Sequence, residues 1–181
     1  METDLENTLA LLERTPHALD ALLRGLPAMW TENNEGGHTW NVAGVLAHLV
    51  YCEQADFMPR LRMILEFGES KTFTPLDREG SARSGAGKTL DQLLDEFAGQ
   101  RAKNMAELRA LDLKPEDMHR RGVHPVFGSV TLAEFVSTWA AHDLTHLHQI
   151  SRIMAHQYRE AVGPWVRFLG VMQCAGHSAQ A

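Results

Sequence analysis

Trp139-Ala-Ala-His142-Asp-Leu-Thr-His146-Leu-His148-Gln-Ile150 carries two histidines four residues apart in a segment whose apolar residues recur at helical spacing. Side chains four apart on a helix share a face, with Cβ atoms about 5–6 Å apart, so His142 and His146 can aim their imidazoles at one point. At about 100° per residue, Phe135, Trp139, His142, His146, Gln149 and Ile153 fall in one stripe, which turns the pair toward the protein interior. His148 falls on the far side and is expected to be solvated.

Two imidazoles hold a divalent ion weakly, and the best candidate for a third is His48. It lies in Trp40-Asn-Val-Ala-Gly-Val-Leu-Ala-His48-Leu-Val-Tyr-Cys52, where nearly every neighbour is apolar and an imidazole needs a partner. A neutral histidine meets that need by coordinating a metal or by a hydrogen bond to protein. One isolated core histidine favours the hydrogen bond. An i,i+4 pair on a core stripe with a third buried histidine favours the metal.

Three segments, Gly37-His-Thr-Trp40-Asn-Val-Ala-Gly-Val-Leu-Ala-His48-Leu, His142-Asp-Leu-Thr-His146-Leu-His-Gln-Ile150 and Tyr158-Arg-Glu-Ala-Val-Gly-Pro-Trp165, resemble those of the DinB-like family of metal-dependent enzymes, and the resemblance extends over most of the chain. It implies an all-α four-helix bundle of up-down-down-up connectivity with long crossover connections, commonly a homodimer. It also implies a metal held by three histidines, one on the second helix and two on the fourth; by motif these are His48, His142 and His146. The first reaction it implies is that of a transferase acting with a low-molecular-weight thiol, with metal-assisted hydrolysis second. A catalytically silent helical dimer that binds a ligand or partner is the opposing expectation, because a shared fold does not name a reaction.

A chain of 181 residues fits a single domain, 1–181, able to bury a core without disulfide or metal staples. With 44% hydrophobic and 22% charged residues, and no apolar run near the ~20 residues of a membrane span, the composition is that of a soluble globular protein. The acidic Met-Glu-Thr-Asp-Leu-Glu start has no signal-peptide core behind it, so a cytoplasmic location is expected. A net charge of -6 argues against binding nucleic acid through its phosphates. Cys52 and Cys174 are too few for a disulfide framework or a cysteine zinc site; Cys52, one turn after His48, reads as a small buried hydrophobe.

Thr3-Asp-Leu-Glu6 has the form of a capping box opening helix 1, and Thr15-Pro16 predicts a kink or restart within that helix. Helix 2 is expected from Trp40, capped by Thr39, to about Phe67, with Pro59 kinking it near Ala55. Its apolar residues cover most of its circumference, which predicts burial against several neighbours. The polar segment 68–88 reads as a mobile crossover; Gly85-Ala-Gly87-Lys88-Thr89 imitates the end of a P-loop, but Ala82 stands where the first glycine is required. Thr89-Leu-Asp-Gln92 caps helix 3, which runs to about Leu111. Thr131-Leu-Ala-Glu134 caps helix 4, which runs to about Tyr158. The segment 114–130 reads as a long connection holding His119 and His124, and Val162-Gly163-Pro164-Trp165 as a short docked segment before a loose end.

Three neutral imidazoles leave an ion its full charge and an open position, the arrangement of a catalytic rather than a structural site. Zinc and nickel both suit nitrogen ligands. Arg101 and Asn104 project from the apolar side of helix 3, either as an internal ion pair or as cleft residues meeting a polar group of a small-molecule substrate. Tyr51 and Gln149, within a turn of ligands, are further pocket candidates. Asp143 is expected either to orient a ligand histidine or to pair with Arg101. Metal affinity is expected to fall as pH drops below about 6.5, the ordinary imidazole pKa.

Overall fold

A computed structural model describes residues 5–77 and 79–174. Among the described residues eight helices form in chain order: α1 (Leu5–Leu23), α2 (Ala28–Thr31), α3 (Val42–Ala55), α4 (Phe57–Phe67), α5 (Gly80–Gly85), α6 (Leu90–Ala110), α7 (Leu132–His156) and α8 (Gly170–Gln173). A two-stranded antiparallel hairpin, β1 (Arg121–His124) and β2 (Gly128–Thr131), precedes α7. Short 3-10 turns occupy Gly68–Ser70, Pro115–His119 and Gly163–Phe168.

The bundle consists of α1, the α3–α4 pair, α6 and α7. Both α1 and α3 pack against α6 and α7. Side-chain pairs across the helices fix their relative directions. Arg24 meets Asp95 while Arg109 meets Glu13, so α1 and α6 are antiparallel. Gln54 meets Glu96 and Arg62 meets Glu107, so α3–α4 runs parallel to α6. His48 meets His142 while Phe57 packs on Phe135, so α3–α4 and α7 are antiparallel.

Caps fix where these helices start. Thr89 accepts from the Gln92 N–H and Thr131 from the Glu134 N–H, each with the return bond of a capping box. The second bundle helix is capped by Asn41, whose Oδ1 accepts from Gly44 N at 2.9 Å, two residues beyond the expected Thr39. It breaks at Asp56, where Pro59 lacks the N–H that the Ala55 carbonyl would receive. Pro16, in contrast, sits inside an unbroken α1, so the expected restart there does not occur. The Thr3 capping box and the loose end from Gly176 lie outside the described residues.

Two apolar clusters fill the bundle. One contains Leu9, Leu12, Phe57, Leu61, Phe135 and Trp139, the other Leu19, Leu23, Val45, Leu49, Phe97 and Ile150. On every bundle helix the residues between the two clusters include polar ones: Thr15, Arg101 and Asn104, and Asp143 with His146, all buried, with Glu53 beside the break on α3. A polar layer therefore crosses the middle of the bundle, and the candidate histidines belong to it.

The crossover 68–88 is more structured than its composition suggests. It buries Phe73, and its α5 lies along α3. An added Cβ on Gly85 would come within 2.7 Å of Ala47 Cβ, and one on Gly80 would overlap the Tyr51 ring, so this approach requires both glycines. Together α5, α6 and α7 account for the apolar circumference of α3. The connection 114–130 contains the β1–β2 hairpin, and Trp165, expected to dock, is 68% exposed. No helix among the described residues is long and apolar enough to cross a membrane.

Candidate metal centre

His48 on α3 and the His142/His146 pair on α7 converge through their Nε2 atoms. His142 Nε2 lies 3.2 Å from His48 Nε2 and 3.1 Å from His146 Nε2. Hydrogen bonding satisfies this arrangement poorly, since at best one N–H is split between two lone pairs. A ring nitrogen has one in-plane site, either an N–H or a lone pair, and His142 Nε2 faces two partners. His146 Nδ1 lies 2.8 Å from Gln149 Oε1, an acceptor only, so the proton of His146 is on Nδ1 and its Nε2 is a bare lone pair. Two nitrogens each about 2.0–2.1 Å from a tetrahedral zinc stand about 3.3 Å apart, close to the spacing here, so the donor set fits a divalent ion. Among the described residues these three histidines form the one group of metal-ligating side chains of this kind.

The surroundings hold the rings neutral. Burial, then the neighbouring His146, lowers the His48 pKa to about 3. Burial, followed by His146, His48 and Arg101, lowers His142 to about 2. Burial also lowers His146, against the opposing effects of Gln149 and Asp143. Neighbouring side chains orient the rings: Ser81, delivered by α5, lies 3.1 Å from His48 Nδ1, and Trp40 and Phe57 pack against the rings of His48 and His142. With Ser81 Oγ accepting from Nδ1–H, the His48 Nε2 lone pair would be free for a metal ion. Ser81→Ala is expected to weaken metal affinity about tenfold, measured by competition with a chromophoric chelator; unchanged affinity would mean that ring packing alone orients His48.

The other candidates divide. Gln149 is buried and serves His146 rather than a pocket. Asp143 accepts no hydrogen bond from the histidines. It takes a bidentate pair from Arg101, at 2.6 and 2.9 Å, which was one of its two expected roles. Arg101 and Asn104 are not cleft residues: both are buried, Arg101 on Asp143 and Glu53, and Asn104 on the Glu53 carbonyl and carboxylate. The reason is charge: Glu53, unnoticed in the sequence, is a carboxylate inside the core that needs them. Tyr51 packs under Gly80. Cys52 is buried with its thiol pKa raised, chiefly by burial, and Sγ lies 3.5 Å from His48 Nε2. His148 is exposed, as its helix face requires.

A cleft of about 790 Å³ opens beside the histidines. It runs along α3 from Trp40 and His48 to Arg60 on α4, roofed by residues of 75–77 and 79–88 and closed by the hairpin residues His124, Pro125 and Val126. A pocket of this size, mostly apolar with a few polar groups, suits a small organic molecule.

No curated protein matches the chain. Among solved structures, YfiT from Bacillus subtilis, described as "a probable metal-dependent hydrolase with an unusual four-helix bundle topology", matches at a TM-score of 0.70 and 19% identity, covering 89% of this chain and 90% of its own. At that identity the likeness speaks for the four-helix bundle fold. The model of the DinB superfamily matches residues 11–150, well over half of the sequence and all three histidines, and the chain belongs to that superfamily.

Proposed function

We propose that the protein is a metal-dependent enzyme that activates a nucleophile at an ion held by His48, His142 and His146 and acts on a small molecule in the adjoining cleft, with hydrolysis as its reaction. The observation that carries this reading is the double contact of His142 Nε2, which a shared cation satisfies and a single N–H would have to split. When bound, zinc or nickel supplies a Lewis acid with an open position. The chain's own residues do the rest. Ser81 and Gln149 orient the ligands, Trp40, Leu76 and Leu93 offer apolar walls, and the α5 roof limits access of bulk water.

Transfer to a low-molecular-weight thiol is the second reading. The cleft volume favours it, since about 790 Å³ leaves room for a thiol beside an electrophile. A cytoplasmic location is supported by two unpaired cysteines, and homodimerisation by the family resemblance. The test is a panel of esters and amides, with and without small thiols, on protein loaded with zinc or nickel. Metal-dependent hydrolysis lost in His142→Ala is the expected result. Turnover only with a thiol present moves the reaction to transfer, and full metal loading without turnover on either panel favours a ligand-binding dimer.

A further inference from the structure

The hairpin end of the cleft holds polar groups that the metal centre does not use. His124 ends β1, and its Nδ1 accepts hydrogen bonds from the backbone N–H groups of Val126 at 3.1 Å and Phe127 at 3.2 Å. A ring nitrogen that accepts carries no proton, so the neutral imidazole has its proton on Nε2. Packing holds the ring in place: it stacks on Phe127, with centroids 4.5 Å apart and planes at 19°, and meets Phe73 edge-on. Phe73 also lies under Arg60, whose guanidinium carbon is 5.6 Å from the ring centroid. His124 and Arg60 thus share a neighbour, and both line the cleft.

Arg60 is held rather than free. Nη1 pairs with Asp56 at 2.7 Å and Nη2 donates to the Thr74 carbonyl at 3.2 Å, while Nε has no partner. Its side chain is nine-tenths buried. The acidic groups along this wall are engaged: Asp56 with Arg60, and Asp77 and Glu79 with Arg83. What remains without an acceptor at this end is the His124 Nε2–H, since the Arg60 Nε–H is buried. Burial, then the Arg60 charge, lowers the His124 pKa, so the ring stays a neutral donor of one hydrogen bond.

We propose that His124 Nε2–H, beside Arg60, binds a carboxylate at the end of the substrate remote from the metal. The apolar wall between His124 and His48 takes the hydrocarbon body of the same molecule. The inference rests on reading the cleft as the substrate site, and it names the substrate class: carboxylic acids with an apolar body whose reacting bond reaches His48. A carboxylate matches an N–H donor that lacks an acceptor, with Arg60, itself paired to Asp56, as the neighbouring cation.

Hydrocinnamate and hydrocinnamyl alcohol are suitable probes, followed by NMR titration of the chelator-stripped protein and of the zinc-loaded protein. Two-bond proton–nitrogen correlations should show His124 as the Nε2–H tautomer, and hydrocinnamate should bind saturably at millimolar concentration with or without zinc. The alcohol should bind about tenfold more weakly. His124→Asn keeps an oxygen for the turn amides but removes the Nε2 donor, and should weaken the acid about tenfold while leaving the alcohol unchanged. Acid binding that vanishes with the metal and is indifferent to His124→Asn would place the carboxylate on the ion and overturn the proposal; so would the absence of saturable binding. A protein that binds no zinc refutes the metal centre separately, because the stripped protein still reports on His124.

Discussion

Arg101→Ala is expected to destabilise the protein by about 3–5 kcal/mol, enough to leave many domains largely unfolded. Arg101 is 1% exposed and lies between Glu53 and Asp143, each also 1% exposed. Burial alone would lower its pKa, but hydrogen bonds and charges from Asp143 and Glu53 more than offset this and hold it above the ordinary value. Truncation leaves two carboxylates in the core: Glu53 keeps hydrogen bonds from Asn104 and the Trp139 indole N–H, whereas Asp143 loses the bidentate pair that Arg101 gave it. It also removes cation–π contacts to Phe97 and Trp139. Arg62→Ala is the control, since its pair with Glu107 is half-exposed and expected to contribute less than about 1 kcal/mol. Urea denaturation of both variants decides the matter. Equal shifts would mean that the buried charges are not coupled, whereas recovery in Arg101→Met combined with Glu53→Gln and Asp143→Asn would identify the stranded charges as the cause.

The same network explains why α1 survives Pro16. A proline has no N–H for the carbonyl four residues earlier, here that of Leu12, and in most helices that loss favours a break. Arg101 Nη1 donates to the Leu12 carbonyl at 2.6 Å and supplies the missing bond from another helix. The partner lies 89 residues away, and local patterns carry no trace of such a distance. The helices themselves were legible: the capping boxes at Thr89 and Thr131 and the stripe on α7 depend on residues three or four apart. The break near Ala55 was legible for the same reason. Ser81 was not, because α5 gains its position from glycines against Tyr51 and Ala47, which composition reads only as loop; His124 was visible as a histidine in a connection, but the turn amides that orient it were not. Glu53 offered a usable signal, as an acid in an otherwise apolar stretch facing a helix with an Arg and an Asn on its apolar side.

His48→Ala, His142→Ala and His146→Ala are each expected to lose bound metal by orders of magnitude in affinity, while His148→Ala on the exposed face of α7 retains it. Elemental analysis of the four purified variants needs no substrate. The low pKa values refine the expected pH behaviour. Free histidine titrates near 6.5, but in the folded, metal-free chain His48 stays neutral to about 3 and His142 to about 2. Protons therefore compete poorly for the native site, and between about pH 7 and 5 metal affinity of the folded protein should be nearly flat rather than falling below 6.5. What falls is stability. Below about pH 6.5 the unfolded chain takes up protons that the native chain refuses, so the folded state loses up to about 1.4 kcal/mol per pH unit for each of these histidines until their folded pKa values are reached. Above about 6.5 both states are neutral there and the contribution is constant. Chelator competition and urea midpoints, measured on the same samples across this range, separate the two effects. Affinity declining in step with a pKa of about 6.5 would mean that the imidazoles are solvated in the metal-free protein, and metal retained by all three triad variants would remove the ion from the site altogether.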